Sequence, residues 1–342
     1  MAEGERGVAG GSAEPHVLWF TPDKPDAISV GRRRIADRLH ADGFRVTLCG
    51  TTLRTTLAAL REHDDYDVVI GTTRAGAFAG SLLKLLGTPL VVDHIDPIRQ
   101  FADTNSWLLA LGVRLAENVA FRLADHVLYV YDEERPRVER YARAATETEL
   151  GVAFERFADP DPEILTAARE RLATAGVGTD ERTMIYVGGL EPIYHIEELL
   201  GSMEHLDDRT LVILGAGTME GRVERAASAR ENVVFLGSVD HEAVPGYLHS
   251  ADVGVSLVDD SHTLKVLEYA AAGLGIVGVR GRAEARFGGF IEFCEPTPKD
   301  IARAVGRAGE HAGSEALRER VKKYDYERVA ERYATVVGSV LD

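Results

Sequence analysis

Lys265 and Glu268 stand three residues apart in LVDDSHTLKVLEYAAAGLGIV (Leu257–Val277). An apolar run stops at Asp259 and Asp260, a polar turn follows, and helical periodicity begins near Lys265. Side chains three apart share one face of the first helical turn. The unsatisfied N–H groups and the positive dipole end at that turn favour phosphate. A lysine reaching phosphates, beside a carboxylate that accepts sugar hydroxyls, is what a nucleotide sugar requires of a protein. Taken alone, the two also read as an ordinary surface pair on an amphipathic helix. Ala270, Ala271, Ala272 and Gly273 keep the rest of that helix thin enough for close packing.

His94 and Asp96, in VVDHIDP, form a second candidate pair. They follow an apolar run, Leu90–Asp93, and in an open α/β sheet ligands bind at the carboxyl ends of strands. An imidazole there could hydrogen-bond a sugar or a leaving phosphate, and the carboxylate could orient an acceptor hydroxyl. Capping of the next helix, with Pro97 at its start, would use the same residues. Gly215 and Gly217 form a GxG, but Gly221 falls one place late for a dinucleotide fingerprint, so a tight strand-to-helix turn is the simpler reading. His-x-Asp offers two ligands only, and no metal site is expected. Trp107, Leu108, Leu111 and Leu115 share a helix face. Core packing is the simpler reading of that spacing, with a membrane-facing stripe as its alternative. His195 and His262 carry no assigned role.

Strand ends and helix starts must hold these side chains, and the first half of the chain repeats that unit. Strands are expected at His16–Thr21, Phe44–Cys49, Asp67–Gly71, Leu90–Asp93 and His126–Tyr131. Between them, helices read over Arg32–Ala41, Leu53–Arg61, Gly76–Leu86, Trp107–Leu123 and Pro136–Ala144. Alternation of this kind predicts a parallel sheet covered on both faces. Ala158–Glu163 (ADPDPE) reads as a linker, after which the pattern restarts. Strands follow at Thr183–Val187, Leu211–Leu214, Val233–Leu236, Val253–Leu257 and Gly275–Val279, with helices at Ile196–Met203 and Met219–Ala229 and a helical tail over Lys322–Leu341.

The 342 residues allow two full domains, and 34 glycines suit an α/β chain with many tight turns. A formal charge of −16 argues against nucleic-acid binding through an overall positive field. The two cysteines, Cys49 and Cys294, form no CxxC, so a reduced, cytoplasmic protein without a disulfide framework is expected. No apolar stretch is long enough to span a bilayer. Met1–Pro15 lacks the apolar core of a signal peptide and reads as a disordered tail.

Together these segments resemble the retaining GT-B glycosyltransferases, the family that includes sucrose synthase and the phosphatidylinositol mannosyltransferases. The family's donor signature sets a carboxylate, seven residues and a glutamate within "K..EYMA.G.PVV". Here Asp260 and Glu268 take the carboxylate positions, Lys265, Tyr269, Gly273 and Val277 match, and Gly275 stands where proline is usual. TELGVAFERF (Thr148–Phe157), YVGGLEP (Tyr186–Pro192), ILGAGTME (Ile213–Glu220) and YDYERVAERY (Tyr324–Tyr333) follow in the family's order. The resemblance implies two Rossmann-like domains facing across a cleft: a tail over 1–15, an acceptor-side domain over 16–157, a donor-side domain over 158–323, and a C-terminal helix over 324–342 crossing back to the first domain.

It also implies transfer of a hexose from a nucleoside-diphosphate sugar to an acceptor hydroxyl with retention. No cofactor or metal is needed, and the acceptor is a glycan or lipid-linked molecule at the inner membrane face. Donor binding falls to Gly31, Gly189, Asp260, Lys265 and Glu268, and catalysis to His94, Asp96 and Lys265. The family commonly has arginine at the position of Gly189 and lysine–glycine near Tyr194–His195, so two phosphate-binding cations are missing. The run Arg32–Arg34 is a candidate replacement. A sugar-nucleotide epimerase of the same fold, or a non-catalytic partner of another glycosyltransferase, are the alternatives.

Overall fold

The computed structural model describes residues 14–22, 29–310 and 315–342, without the side chain of Val30. The tail expected over residues 1–15 therefore lies outside the described residues, except for Glu14 and Pro15, as does most of the loop before Gly31.

The chain opens with β1 (His16–Thr21), α1 (Val30–Ala41), β2 (Arg45–Gly50), α2 (Leu53–Arg61), β3 (Val68–Thr72), α3 (Thr73–Leu86) and β4 (Leu90–His94). Next come α4 (Ile98–Thr104), α5 (Trp107–Leu123), β5 (His126–Tyr129), α6 (Arg135–Tyr141) and β6 (Ala145–Glu147). Then follow α7 (Phe154–Ala158), α8 (Pro162–Thr174), β7 (Arg182–Val187), α9 (Ile196–Ser202), β8 (Arg209–Leu214), α10 (Glu220–Ala229) and β9 (Val233–Phe235). The last part holds α11 (Val244–Leu248), β10 (Val253–Ser256), α12 (Leu264–Ala271), β11 (Gly275–Val279), α13 (Ala283–Phe287), β12 (Glu292–Cys294), α14 (Pro298–Glu310), α15 (Glu315–Lys322) and α16 (Tyr326–Leu341).

Two compact units result, one formed by residues 1–150 and 326–342 and the other by Gly151–Asp325. Each is an α/β unit around a six-stranded, parallel sheet. In the first sheet the order is β2-β1-β3-β4-β5-β6, and in the second β12-β11-β10-β7-β8-β9.

Burial on both faces explains the unbroken apolar runs. Within β1, Val17 and Trp19 join the core shared with α1 and α16, while Leu18 and Phe20 join the core under α3 and α5. That is the two-residue alternation of a strand. β2, at the sheet edge, is more exposed. Thr52 starts α2 with a reciprocal capping box to Thr55, and Gly87, at φ +112°, ends α3 in the left-handed region.

Where the structure departs from the sequence reading, local signals were weak or misleading. Ala158–Glu163 is not a connection between units: Asp161 caps α8 through the Glu163 N–H and Pro162 takes its first turn, all inside the second unit. The helix read over Pro136–Ala144 stops at Tyr141, and the following residues form β6, whose sequence Ala-Thr-Glu has no apolar alternation. The largest departure is α5. Trp107, Leu108, Leu111 and Leu115 are exposed instead of packed in the core. Facing inward are the small Ala110 and Ala120, Phe121, and the polar Glu117 and Asn118, which bind the buried Arg137 at 2.6 Å and 2.8 Å.

α16 covers α1 on the first sheet and carries a buried polar anchor. Tyr333 Oη donates to Asp93 Oδ1 (2.8 Å), Thr72 Oγ1 donates to Asp93 Oδ2 (2.7 Å), and Trp19 Nε1 donates to Thr72 (2.7 Å). Burial raises the Asp93 carboxyl above its ordinary range, against the opposing pull of Arg32, Thr72, Tyr333 and His94. Tyr333→Phe leaves a buried acceptor without its donor. We expect it to destabilise the chain by about 1–3 kcal/mol in urea unfolding, although the ring keeps its packing.

Candidate functional site

In the second sheet the chain runs outward from β7 through β8 to β9, then returns to the other side of β7 with β10. Strand order reverses between β7 and β10, and such a switch point leaves a crevice at the strands' carboxyl ends. The loop Gly188–Leu190 leaves β7 there, and β10 leads through Leu257–Thr263 into α12. Lys265 therefore reaches the switch point from the first turn of its helix. Thr263, at the N-cap of α12, makes no side-chain capping bond.

Lys265 is held on several sides. Its Nζ donates to Tyr186 Oη (3.1 Å) and lies 4.5 Å from the Tyr186 ring centroid and 4.1 Å from that of Tyr194. Tyr186 Oη donates onward to the Gly189 carbonyl (2.6 Å). Gly188, at φ +144°, runs directly beneath, where a Cβ would come within 2.5 Å of Lys265 Cε. Burial lowers the ammonium to about 8, against the pull of the Glu268 carboxylate, which favours its charge.

The Gly188–Leu190 loop in turn rests on the GxG turn. A Cβ on Gly215 would sit 1.8 Å from the Gly188 carbonyl oxygen, and one on Gly217 2.5 Å from that of Leu190. Gly188 N–H donates to Leu214, and Leu190 N–H to Ala216, both at 2.9 Å. Gly215 and Gly217 thus serve a close backbone approach, the tight-turn reading of the sequence.

Glu268 follows one turn after Lys265, its side chain 13% exposed, with Oε1 2.9 Å from Nε2 of His241. Arg156 backs that imidazole, with Nη2 3.3 Å from Nδ1, and also donates to the His241 carbonyl. Tyr186 and His241 are the neighbours that sequence reasoning missed, and Tyr194 entered it only as a position where the family commonly has a cation. Tyr186 is a strand residue by pattern, and nothing in the type or spacing of His241 places it near Glu268.

Asp260 closes the turn before α12, its Oδ1 accepting the His262 N–H at 2.9 Å. Asp259 pins the next loop, pairing with the Arg282 backbone (2.7 Å) and guanidinium (2.5 Å). His262 is held down to about 3 by burial and then by Arg286, so its imidazole is neutral. Gly189 packs against Tyr194, where a Cβ would lie 3.2 Å from the ring. His195, at φ +52°, caps α9 and lies 3.7 Å from Glu198. Aromatic rings around Lys265 stand where the sequence suggested that cations were lost.

The other candidates lie in the first unit. Gly31 packs under Tyr326, where a Cβ would meet the hydroxyl at 2.6 Å. Of the arginines after it, Arg32 donates to Ser29 (3.1 Å) and is charge-coupled to the buried Asp93, whereas Arg34 lies over the Tyr326 ring. His94 is only 4% exposed, with Nε2 3.2 Å from Glu134. Burial pushes the Glu134 carboxyl up, but His94, Arg137 and the Ile98 N–H outweigh it and hold it at about 2. Asp96 is partly exposed, and Arg74 binds its carbonyl (3.2 Å) and that of Pro97 (3.0 Å). Among the described residues, no three His, Cys, Asp or Glu side chains gather as a metal site, and no helix is long and apolar enough to cross a membrane.

Residues 181–310, which hold this site, match the family model described as "Glycosyl transferases group 1". The second unit carries a glycosyl transferases group 1 domain. Solved structures extend the likeness to both units. Sucrose-phosphate synthase from Thermosynechococcus elongatus superposes with a TM-score of 0.76 at 16% identity, over 95% of this chain and 99% of that one. HepE of Anabaena, solved in complex with UDP-glucose, gives 0.73 at 13% identity over 95% and 99%. A glycosyltransferase from Rickettsia africae gives 0.72 at 13% identity over 96% and 99%. The fold is thus that of the GT-B glycosyltransferases, two Rossmann-like units in one chain. No curated protein matches the chain in sequence.

Proposed function

We propose that this chain is a retaining hexosyltransferase that uses a nucleoside-diphosphate sugar and an acceptor hydroxyl. The observation that carries this reading is Lys265, held over Gly188 at the β7/β10 switch point with Glu268 on the next turn. Lys265 and the α12 N-terminus stabilise charge growing on the leaving diphosphate. Glu268 accepts hydrogen bonds from the ribose hydroxyls, exchanging them for His241. The anomeric carbon–phosphate oxygen bond breaks, a bond to the acceptor oxygen forms on the same face, and the departing phosphate takes the acceptor's proton. No protein nucleophile is needed, and the protein's contribution is position and field.

In the first unit, Asp96 is proposed to orient the acceptor, a glycan or lipid-linked hydroxyl. The buried His94 positions it: His94 holds Glu134, and Glu134 fixes the Ile98 N–H two residues beyond Asp96. HepE was solved with UDP-glucose, which makes uridine diphosphate sugars the first donors to test.

Melting curves with UDP-, GDP- and ADP-glucose should show one nucleotide stabilising the chain by a few kcal/mol when its concentration is far above its Kd. Glu268→Ala should weaken that donor by roughly 100-fold while leaving the nucleotide-free melting temperature within a few degrees. A chain that none of the three stabilises, or an E268A variant that binds as before, refutes the reading. Free sugar released from donor alone, in preference to transfer, would favour the epimerase.

A further inference from the structure

The Glu268 carboxylate carries an imidazole on its solvent side. His241 Nε2 stands 2.9 Å from Glu268 Oε1, with the His241 side chain 49% exposed and that of Glu268 13%. The loop that presents the ring follows β9. Its Gly237 carbonyl accepts the Gly215 N–H (2.9 Å), its Leu236 carbonyl accepts from Arg171 (2.9 Å), and the Ala243 N–H closes a turn on the Asp240 carbonyl (2.8 Å). α7 packs on α12 and supplies the rest of the seat. Phe157 meets the imidazole at 66°, with centroids 5.8 Å apart. Arg156 stands behind the ring, held by Glu242 (2.8 Å) and lying over Phe157 (5.5 Å).

The two polar neighbours select one tautomer. A guanidinium offers donors only, so His241 Nδ1, 3.3 Å from Arg156 Nη2, is the accepting nitrogen. A carboxylate offers acceptors only, so Nε2 carries the proton and donates to Glu268. An N–H and a carboxylate oxygen thus face each other with opposite hydrogen-bonding sense. A hydroxyl is the group that satisfies both, since its oxygen accepts from the N–H while its O–H donates to the carboxylate. An exposed pair of this kind adds little to stability. Opening it therefore costs little, and stability alone calls for no arginine behind the ring.

We propose that His241 is a nucleotide-binding residue that reads the ribose together with Glu268. One ribose hydroxyl inserts between Nε2 and Oε1, accepting from the imidazole as it donates to the carboxylate. Arg156 is the positioning residue that keeps the proton on Nε2. This role rests on the reading of Glu268 as the ribose carboxylate and extends it, because Glu268 can accept from a hydroxyl but has nothing to donate to the hydroxyl oxygen. A site built to hydrogen-bond a hydroxyl from both sides tells ribose from deoxyribose.

The test uses melting shifts of the whole chain with UDP and with its dideoxyribose counterpart, or the same pair on the base that the nucleotide panel selects. His241→Ala should weaken the ribonucleotide by roughly ten-fold and leave the dideoxy compound within about two-fold, since only a hydrogen bond to the hydroxyl is lost. His241→Gln, whose amide can replace the Nε2–H, should recover most of that loss. Long-range proton–nitrogen NMR spectra give a readout without any ligand. His241 should hold its proton on Nε2 in the unaltered chain, and Arg156→Ala should let it spread to Nδ1. UDP should then shift the Nε2 resonance, and dideoxy-UDP should not. Tighter UDP binding by His241→Ala makes the imidazole a mere competitor for Glu268 and overturns the proposal. So does an equal loss with both nucleotides, no change with either, or a proton found on Nδ1. Each of those results leaves UDP bound and the glycosyltransferase reading in place, whereas a chain that no nucleotide stabilises removes both.

Discussion

Lys265→Ala is expected to lower kcat/KM for the nucleotide sugar by about a thousand-fold, with most of the loss in kcat. Lys265 is a cation at the β7/β10 switch point, with Gly189 and Tyr194 uncharged beside it. Charge on a leaving diphosphate grows in the transition state, so a fixed ammonium helps there more than in the ground state. Steady-state kinetics with the donor found by melting shifts would measure this. A loss below ten-fold would move the phosphate contact elsewhere in the protein.

The same residue sets a pH dependence. Burial between Tyr186 and Tyr194 brings its ammonium from 10.5 down to about 8. The pH profile of kcat/KM follows the free protein, so kcat/KM should fall as pH rises through about 8, well before an ordinary lysine would titrate. Lys265→Arg keeps its charge across that range and should remove the alkaline limb, even if its longer fork lowers the plateau. Stability runs in the other direction. Between about 8 and 10.5 the unfolded chain still holds the proton that the folded chain has released, so this group makes the fold more stable as pH rises through that window.

Gly215→Ala should destabilise the second unit by about 3 kcal/mol or more and abolish activity together with stability. Gly215 sits at φ +147°, and an added methyl carbon would occupy the space of the Gly188 carbonyl oxygen, 1.8 Å away. Backbone strain of that kind costs on the order of 1–3 kcal/mol, and forced displacement of a packed neighbour adds a similar amount. The neighbour here is the loop that lies under Lys265, so relief of the clash displaces the site itself. Urea unfolding measures the first effect. The second is measured by donor affinity at temperatures where the variant remains folded. Gly221→Ala is a control on the same stretch of chain, because a Cβ there meets nothing closer than 3.6 Å.

How much of this could be read from residues in order follows from the range of each interaction. The three-residue spacing of Lys265 and Glu268 is a local fact, and any helix beginning at that turn puts both on one face. The unbroken apolar run of β1 and the strand–helix succession are local as well, which is why a parallel α/β fold was legible. The glycine pair before α10 was legible as a tight turn for the same reason.

The tertiary structure decided the rest. Lys265 meets Tyr186 across 79 residues of sequence, and Glu268 meets His241 across 27. Apolar periodicity is indifferent to which strands become neighbours, so no pattern in the chain announces such pairs. His94 looked accessible at a strand end, yet Glu134 arrives from forty residues away and takes its ring nitrogen inside. On α5 the same indifference misled outright. Spacing shows that Trp107, Leu108, Leu111 and Leu115 share a side, but not which side the sheet covers. A buried arginine from α6 drew Glu117 and Asn118 inward and turned the leucines to the surface.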